Sequence, residues 1–186
     1  MTTLSIFDQD QPDRAHTVTR DTAQIRERLA EQGIRFEQWP TRDLPADATP
    51  DSILEAYGDE IARLKEESGF QTADVISLNP DNPKKGELRQ KFLDEHVHSE
   101  DEVRFFVRGN GLFYLHLGDQ IYAVLCEKND LINVPDGTRH WFDMGPEPAF
   151  TCIRLFSNPE GWVADFTGED IASHLPRYEA LAGAGG

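Results

Sequence analysis

The spacing of apolar and polar positions changes character near residue 75. Before it, the apolar residues recur at helical intervals. Ile25 and Leu29 stand four apart, with Asp21 placed to cap and Gly33 to stop, which predicts a short amphipathic helix over 21–32. Ile53, Leu54, Tyr57, Ile61 and Leu64 make a longer stripe behind Thr49 and Pro50 and ahead of Gly69, predicting a second helix. That stripe reads as a packing face rather than a partner surface. The Pro-rich stretch WPTRDLPADATP connects the two helices.

From Val75 onward the pattern becomes short β-rich runs: DVISL, EVRFFV, LFYLHL, QIYAVLCE, LINVP, HWFDM, AFTCIRLF and GWVADF. Turn residues at Arg108-Gly109-Asn110-Gly111, Gly118-Asp119, Lys128-Asn129-Asp130 and Pro135-Asp136-Gly137 separate them at the spacing of a sandwich or jelly roll. The expectation is one mainly β domain over 1–186. Residues 1–74 form a helical preface packed on a barrel, 75–166 the barrel core, and 167–186 a tail whose brief helix starts near Thr167 to Asp170 and ends at Pro176.

Composition narrows the partners. The 186 residues carry 18 Lys and Arg against 34 Asp and Glu, a formal charge of -16. Such a field repels phosphate backbones and anionic bilayers, so neither nucleic acid nor membrane is expected as a partner. The opening MTTLSIFDQDQPDR has no basic stretch leading into an apolar run, and nowhere does such a run approach the ~18 residues of a membrane helix, so a cytoplasmic protein is expected. Compactness and acidity favour a monomer. Cys126 and Cys152 lie in apolar runs without Cys-x-x-Cys spacing and read as reduced core residues.

Chemistry concentrates in DEHVHSEDE. On an extended chain alternate residues share a face, so Phe92, His96, His98, Glu102, Arg104 and Phe106 would all point into one lumen provided that no bulge intervenes. Two imidazoles and a carboxylate facing inward need a partner, and together they match the two-His, one-carboxylate site of non-haem metal chemistry. His140, at the start of the run HWFDM after a tight Pro135 to Gly137 turn, is the best candidate for a fourth ligand. An inward Arg104 beside a metal calls for an anion, either a substrate or a carboxylate at Asp94, Glu95 or Asp101. Glu95 and Asp101 fall on the opposite parity and are expected to support the ligands or to face solvent. His116, His16 and His174 have no spacing that links them to this set.

His96-x-His98-x-x-x-Glu102 followed, after six intervening residues, by Gly109, and Pro135-x-Gly137-x-x-His140, resemble the two motifs of the cupin superfamily. Two departures stand out: Asn129 where the second motif usually opens with Gly, and Met144 where it usually closes with Asn. Asn tolerates positive φ, so the first is mild. The longer strings FLDEHVHSEDEVRFFVRGNGLFYLHL, VPDGTRHWFDMG and IRLFSNPEGWVADFTGEDIA are similar, over nearly the whole chain, to the bacterial acireductone dioxygenases.

That resemblance implies a cupin double-stranded β-helix (jelly-roll) barrel and a place in methionine salvage. It implies one Fe(II) or Ni(II) per chain, with Co or Mn also acceptable to such ligands, and a small-molecule acireductone and dioxygen as substrates. Iron would give formate and 4-methylthio-2-oxobutanoate; nickel would give formate, carbon monoxide and 3-(methylthio)propanoate. It further implies that Arg104 promotes the substrate dianion, that Glu95 aids metal incorporation and that Asp101 relays local conformational change. Phe92, Phe142 and Trp162 are candidate walls for the methylthio tail, with core packing the alternative for each. Another cupin oxygenase or isomerase, or a non-catalytic metal- or ligand-binding cupin, would use the same four ligands.

Overall fold

The computed structural model of the chain describes residues 1–40, 42–158 and 163–183. Its elements run β1 (Thr3–Asp8), β2 (Ala15–Thr19), α1 (Thr22–Glu31), β3 (Arg35–Gln38), α2 (Pro50–Ala56), α3 (Gly58–Ser68), β4 (Thr72–Leu78) and α4 (Lys85–Leu93). Then follow β5 (His96–Val97), β6 (Glu102–Leu117), β7 (Gln120–Glu127), β8 (Asp130–Val134), β9 (Arg139–Asp143), β10 (Phe150–Phe156), β11 (Asp165–Phe166) and α5 (Tyr178–Gly183), with a 3-10 turn at Ile171–His174.

The helix signals near the start act as expected. Asp21 accepts a hydrogen bond from the Gln24 amide at 3.0 Å, and Thr49 does the same for Ser52 at 3.2 Å. The long second helix, however, is broken into α2 and α3 at Tyr57, whose φ of -105° and ψ of 19° leave the helix. Gly58 weakens the helix there. Tyr57 is fully buried, with its ring 4.9 Å from Phe105 and 6.1 Å from Trp39.

Residues 1–74 are also more than a helical preface, because β1 pairs along its length with β7 and β3 pairs with β8. Leu4, Ser5, Ile6 and Phe7 are all buried, so β1 shows none of the alternation that marks a half-exposed strand. Helix α4 was likewise not anticipated: KGELRQKFL offers Leu88, Phe92 and Leu93 but no full apolar stripe. It is pinned by Arg89, which donates to both Asp143 carboxylate oxygens at 2.8 and 3.0 Å. Phe92 therefore projects from a helix, not from an extended strand.

Two antiparallel sheets share β6. Its first half pairs with β8 and β10, which lead outward to β3 and β4. Its second half pairs with β7 and β9, which lead to β1 and β2 on one side and to β5 and β11 on the other. The turn expected at Arg108 to Gly111 is thus a bend inside one strand. The register with β10 skips Val107, pairing Cys152 with Phe106 and Thr151 with Arg108, and Gly109 adopts φ +72°. A Cβ on Gly109 would come 1.8 Å from the Ala149 carbonyl oxygen, so a side chain there would block the crossing.

The bulge also reverses the faces. Phe106 and Phe113 both enter the core between the sheets, together with Val124, Cys126, Ile132, Phe142 and Cys152. Val103, Phe105 and Val107 face outward beneath Ile53, Ile61 and Leu64 of α2 and α3. Leu112, Tyr114 and Trp141 face outward beneath Ala172 and Leu175. Both cysteines are buried and free. Asn129 has φ 79°, so it supplies the backbone geometry that glycine otherwise would, and Met144 is buried in the inner core.

Candidate metal centre

Three strands bring the sequence-predicted ligands together. His96 lies on β5 and His98 just beyond it, Glu102 opens β6, and His140 lies on β9, where it stands directly opposite His96. One ring nitrogen from each histidine falls within 4.8 Å of the others. Glu102 Oε2 lies 2.8 Å from His140 Nε2 and 3.1 Å from His98 Nε2. All four side chains are buried.

Backbone carbonyls fix how the rings face. Nδ1 of His96 donates to Asp94 at 2.7 Å, that of His98 to Val163 at 2.9 Å, and that of His140 to Thr138 at 2.7 Å. With Nδ1 carrying the proton, Nε2 of a neutral imidazole is an acceptor. An acceptor nitrogen and a carboxylate oxygen 2.8 Å apart repel unless a proton or a metal cation sits between them. The donor set, imidazole nitrogen and carboxylate oxygen, suits a divalent transition metal, and the residues fit one.

The electrostatics agree. Burial, with His140 beside it, holds the His96 imidazole down at about 4, so it is neutral and ready to ligate. Burial pushes His98 down as well, but the hydrogen bond and charge of Glu102 outweigh it and raise that ring. Burial also opposes ionisation of Glu102; Arg104 and the two imidazoles overcome it and keep the carboxyl well below its usual range.

Arg104 does point inward, as parity predicts, but its partner is Glu102, to whose Oε1 the Nε donates at 2.9 Å. Its guanidinium lies 5.0 Å from the Phe142 ring, 5.7 Å from Phe113 and 5.9 Å from Phe92.

Glu95 faces away from the ligands. It is buried, accepting from Thr167 Oγ1 at 2.9 Å and lying 2.6 Å from Nδ1 of His116, whose Nε2 meets Gln9. The sequence left His116 unpartnered; its partner is twenty-one positions earlier, on the outer face that the bulge created. Asp101 accepts from the Asp136 amide at 3.0 Å, and the Gly137 amide donates to the His98 carbonyl, so the ligand loop is tied to the turn before His140. His16 and His174 stay apart from this set at the surface.

A cavity of about 430 Å³ opens on the cluster, and Phe92 and Phe142 are among the residues that line it. Trp162 lies outside the described residues. Sequence reasoning missed Lys91, Arg154, Val163 and Phe166, which also line it. Phe166 reaches the site because β11 pairs with β5, placing it opposite His96, seventy residues away in the chain. No local pattern encodes that pairing. Arg154 pairs across strands with Arg104, a neighbour that alternation along β10 alone does not identify.

The ARD/ARD' family model matches residues 3–164. The acireductone dioxygenase of Marinobacter nauticus is 75% identical over 183 residues, spanning 98% of this chain and 99% of its own. That of Hahella chejuensis is 64% identical over 181 residues, spanning 97% and 98%. Among solved structures, an acireductone dioxygenase from Bacillus anthracis with a cadmium ion in its active center superposes with a TM-score of 0.77 at 31% identity, covering 89% of this chain and 98% of that one. The barrel, with its N-terminal helices and short C-terminal helix, is accordingly a cupin fold.

Proposed function

Because this chain belongs to the acireductone dioxygenase (ARD/ARD') family, we propose that His96, His98, Glu102 and His140 hold its one divalent metal and that Arg104 acts on the substrate anion beside it. Enzymes of the family are metal-dependent dioxygenases of methionine salvage, and the reaction is cleavage of 1,2-dihydroxy-3-oxo-5-(methylthio)pent-1-ene by dioxygen. The observation that carries the site assignment is the convergence of three imidazoles within 4.8 Å, each with Nδ1 engaged by a carbonyl, next to Glu102.

When bound, the metal supplies Lewis acidity and open positions for the two adjacent oxygens of an enediol and for dioxygen. The chain does the rest. Arg104, buried against Glu102 and the Phe142 ring, stabilises the negative charge that forms as the enediol loses its protons. Phe92 and Phe142 give the methylthio tail an apolar wall, and Phe166 adds a ring beside His96. Glu95, through His116 and Thr167, steadies the strand that carries His96; Asp101 steadies the turn before His140.

The metal in this reading is Fe(II) or Ni(II), with Co or Mn accepted by the same donors. Iron directs the products to formate and 4-methylthio-2-oxobutanoate, nickel to formate, carbon monoxide and 3-(methylthio)propanoate. The reading extends to a single-domain monomer in the cytoplasm, supported by a charge of -16 and by the absence, among the described residues, of a helix long and apolar enough to cross a membrane. The test is anaerobic generation of the acireductone, then dioxygen addition to protein loaded separately with Fe(II) and Ni(II), with protein-free controls. Metal-dependent acceleration with distinct products is expected. Fully loaded protein that runs no faster than the control would overturn the reading.

A further inference from the structure

The chain repels anions at a distance, yet its substrate is one. A reductone, an enediol conjugated to a ketone, is a vinylogous acid and an anion at neutral pH. Among the described residues that line the cavity the balance of charge is reversed: they include Lys91, Arg104 and Arg154 against the carboxylate of Glu102. Two of those cations are engaged. Arg104 donates to Glu102 at 2.9 Å, and Arg154 donates to both oxygens of Asp74 at 2.8 and 2.6 Å.

Lys91 is different. Among the described residues it has no ion-pair partner, and it is exposed at the cavity rim, with Nζ 5.7 Å from the Phe92 ring. The Arg104 guanidinium lies 5.9 Å from the same ring, so Phe92 neighbours both an exposed and a buried cation. Helix α4 holds that arrangement in place, because Arg89, two residues earlier, is clamped onto Asp143 of β9.

We propose that Lys91 is a specificity-determining residue at the mouth of the cavity, receiving the anionic head of the acireductone and handing it along Phe92 toward Arg104. The proposal rests on the acireductone reading above. An exposed ammonium acts over roughly a Debye length, about 10 Å at 0.1 M salt, which is enough to offset the acidic surface locally and not elsewhere.

The test uses metal-loaded holoenzyme carrying Lys91→Gln, Lys91→Glu or Lys91→Arg. Two readouts are taken: steady-state kinetics, and the anaerobic dissociation constant of the acireductone, measured where no turnover occurs. Lys91→Gln is expected to raise both KM and the dissociation constant roughly three- to fivefold at low ionic strength, the scale of one screened charge, with kcat within about twofold. Lys91→Glu should exceed that, Lys91→Arg should restore the native values, and the deficit should close near 1 M potassium chloride. Metal content and thermal midpoint should stay unchanged. A Lys91→Gln protein that binds like the native one at low salt, or a deficit that persists at high salt and in Lys91→Arg, overturns the proposal. Native holoenzyme that neither binds nor consumes the acireductone overturns the reading itself, a result independent of any Lys91 variant.

Discussion

His140 Nε2 lies 2.8 Å from Glu102 Oε2, while the other nitrogen of the same ring is committed to the Thr138 carbonyl. Two acceptors at that distance repel unless a proton or a metal cation lies between them, and this donor set suits a metal. Substitution of either residue is therefore expected to cost metal first. His140→Ala and Glu102→Gln should weaken metal binding by more than the 10- to 100-fold typical of losing an outer hydrogen bond, and activity should fall in parallel. Metal analysis after dialysis against a weak chelator checks this, and a full metal equivalent in either variant would remove that residue from the ligand set.

Arg104 is expected to separate metal binding from turnover. Arg104→Ala should retain the metal while kcat falls roughly 10²- to 10³-fold, the usual effect of deleting one group that stabilises developing charge. Arg104→Lys should recover little, since an ammonium lacks the planar face now lying against Phe142 and the Nε that binds Glu102. Single-turnover kinetics on protein of matched metal content would decide it; turnover near the native rate would defeat the role.

Asp143 links pH to stability. It is fully buried, and burial acts to raise its carboxyl, but the Arg89 hydrogen bonds and the Tyr178 and Gly145 amides outweigh that and lower it below the ordinary 3.8. A carboxyl whose folded value is depressed contributes stability that is present above its unfolded value and lost as pH falls through the folded one. Asp143→Asn should cost about 3 kcal/mol at neutral pH, the low end for a broken buried pair, because Arg89 keeps Glu179. Its urea stability should then vary less than the native protein's below about pH 4. An unchanged acid slope would show that the pair is not the linkage.

Gly109→Ala should destabilise by at least about 2–3 kcal/mol, since φ is +72° and the new Cβ would strike the Ala149 carbonyl. Gly118→Ala is the control: φ is +64° there, but nothing lies within 4 Å, so roughly 1 kcal/mol of backbone strain is the whole cost. Equal losses for the two in chemical denaturation would mean that close approach at the sheet crossing does not matter.

Much of the site was legible because its elements are local. His96-x-His98 and Glu102 stand close in the chain, and a tight turn places His140 at the start of a β run; the structure brings all four together. Parity placed Arg104 inward for the same reason, since the bulge at Val107 comes after it. Asn129 was read as tolerating positive φ and adopts it. The failures have a common origin too. Arg108 to Gly111 carries the composition of a turn and is a strand crossing, because local chemistry cannot tell a reversal from a bulge that lies against the Ala149 backbone just before β10. The helix over 50–69 breaks at Tyr57, where an aromatic cluster buries the ring.

By itself, then, the sequence determined the choice of candidate ligands, the mainly β class, the helix caps and the inward face of Glu102 and Arg104, all of which follow from side-chain type and short-range periodicity. Tertiary structure alone decided that β1 and β3 complete the sheets, that Glu95 meets His116, and that Lys91, Arg154, Val163 and Phe166 line the cavity beside the histidine cluster. Those contacts join residues far apart along the chain. Their energy comes from pairing and burial that exist only once the sheets have closed, and no periodicity in the chain records it.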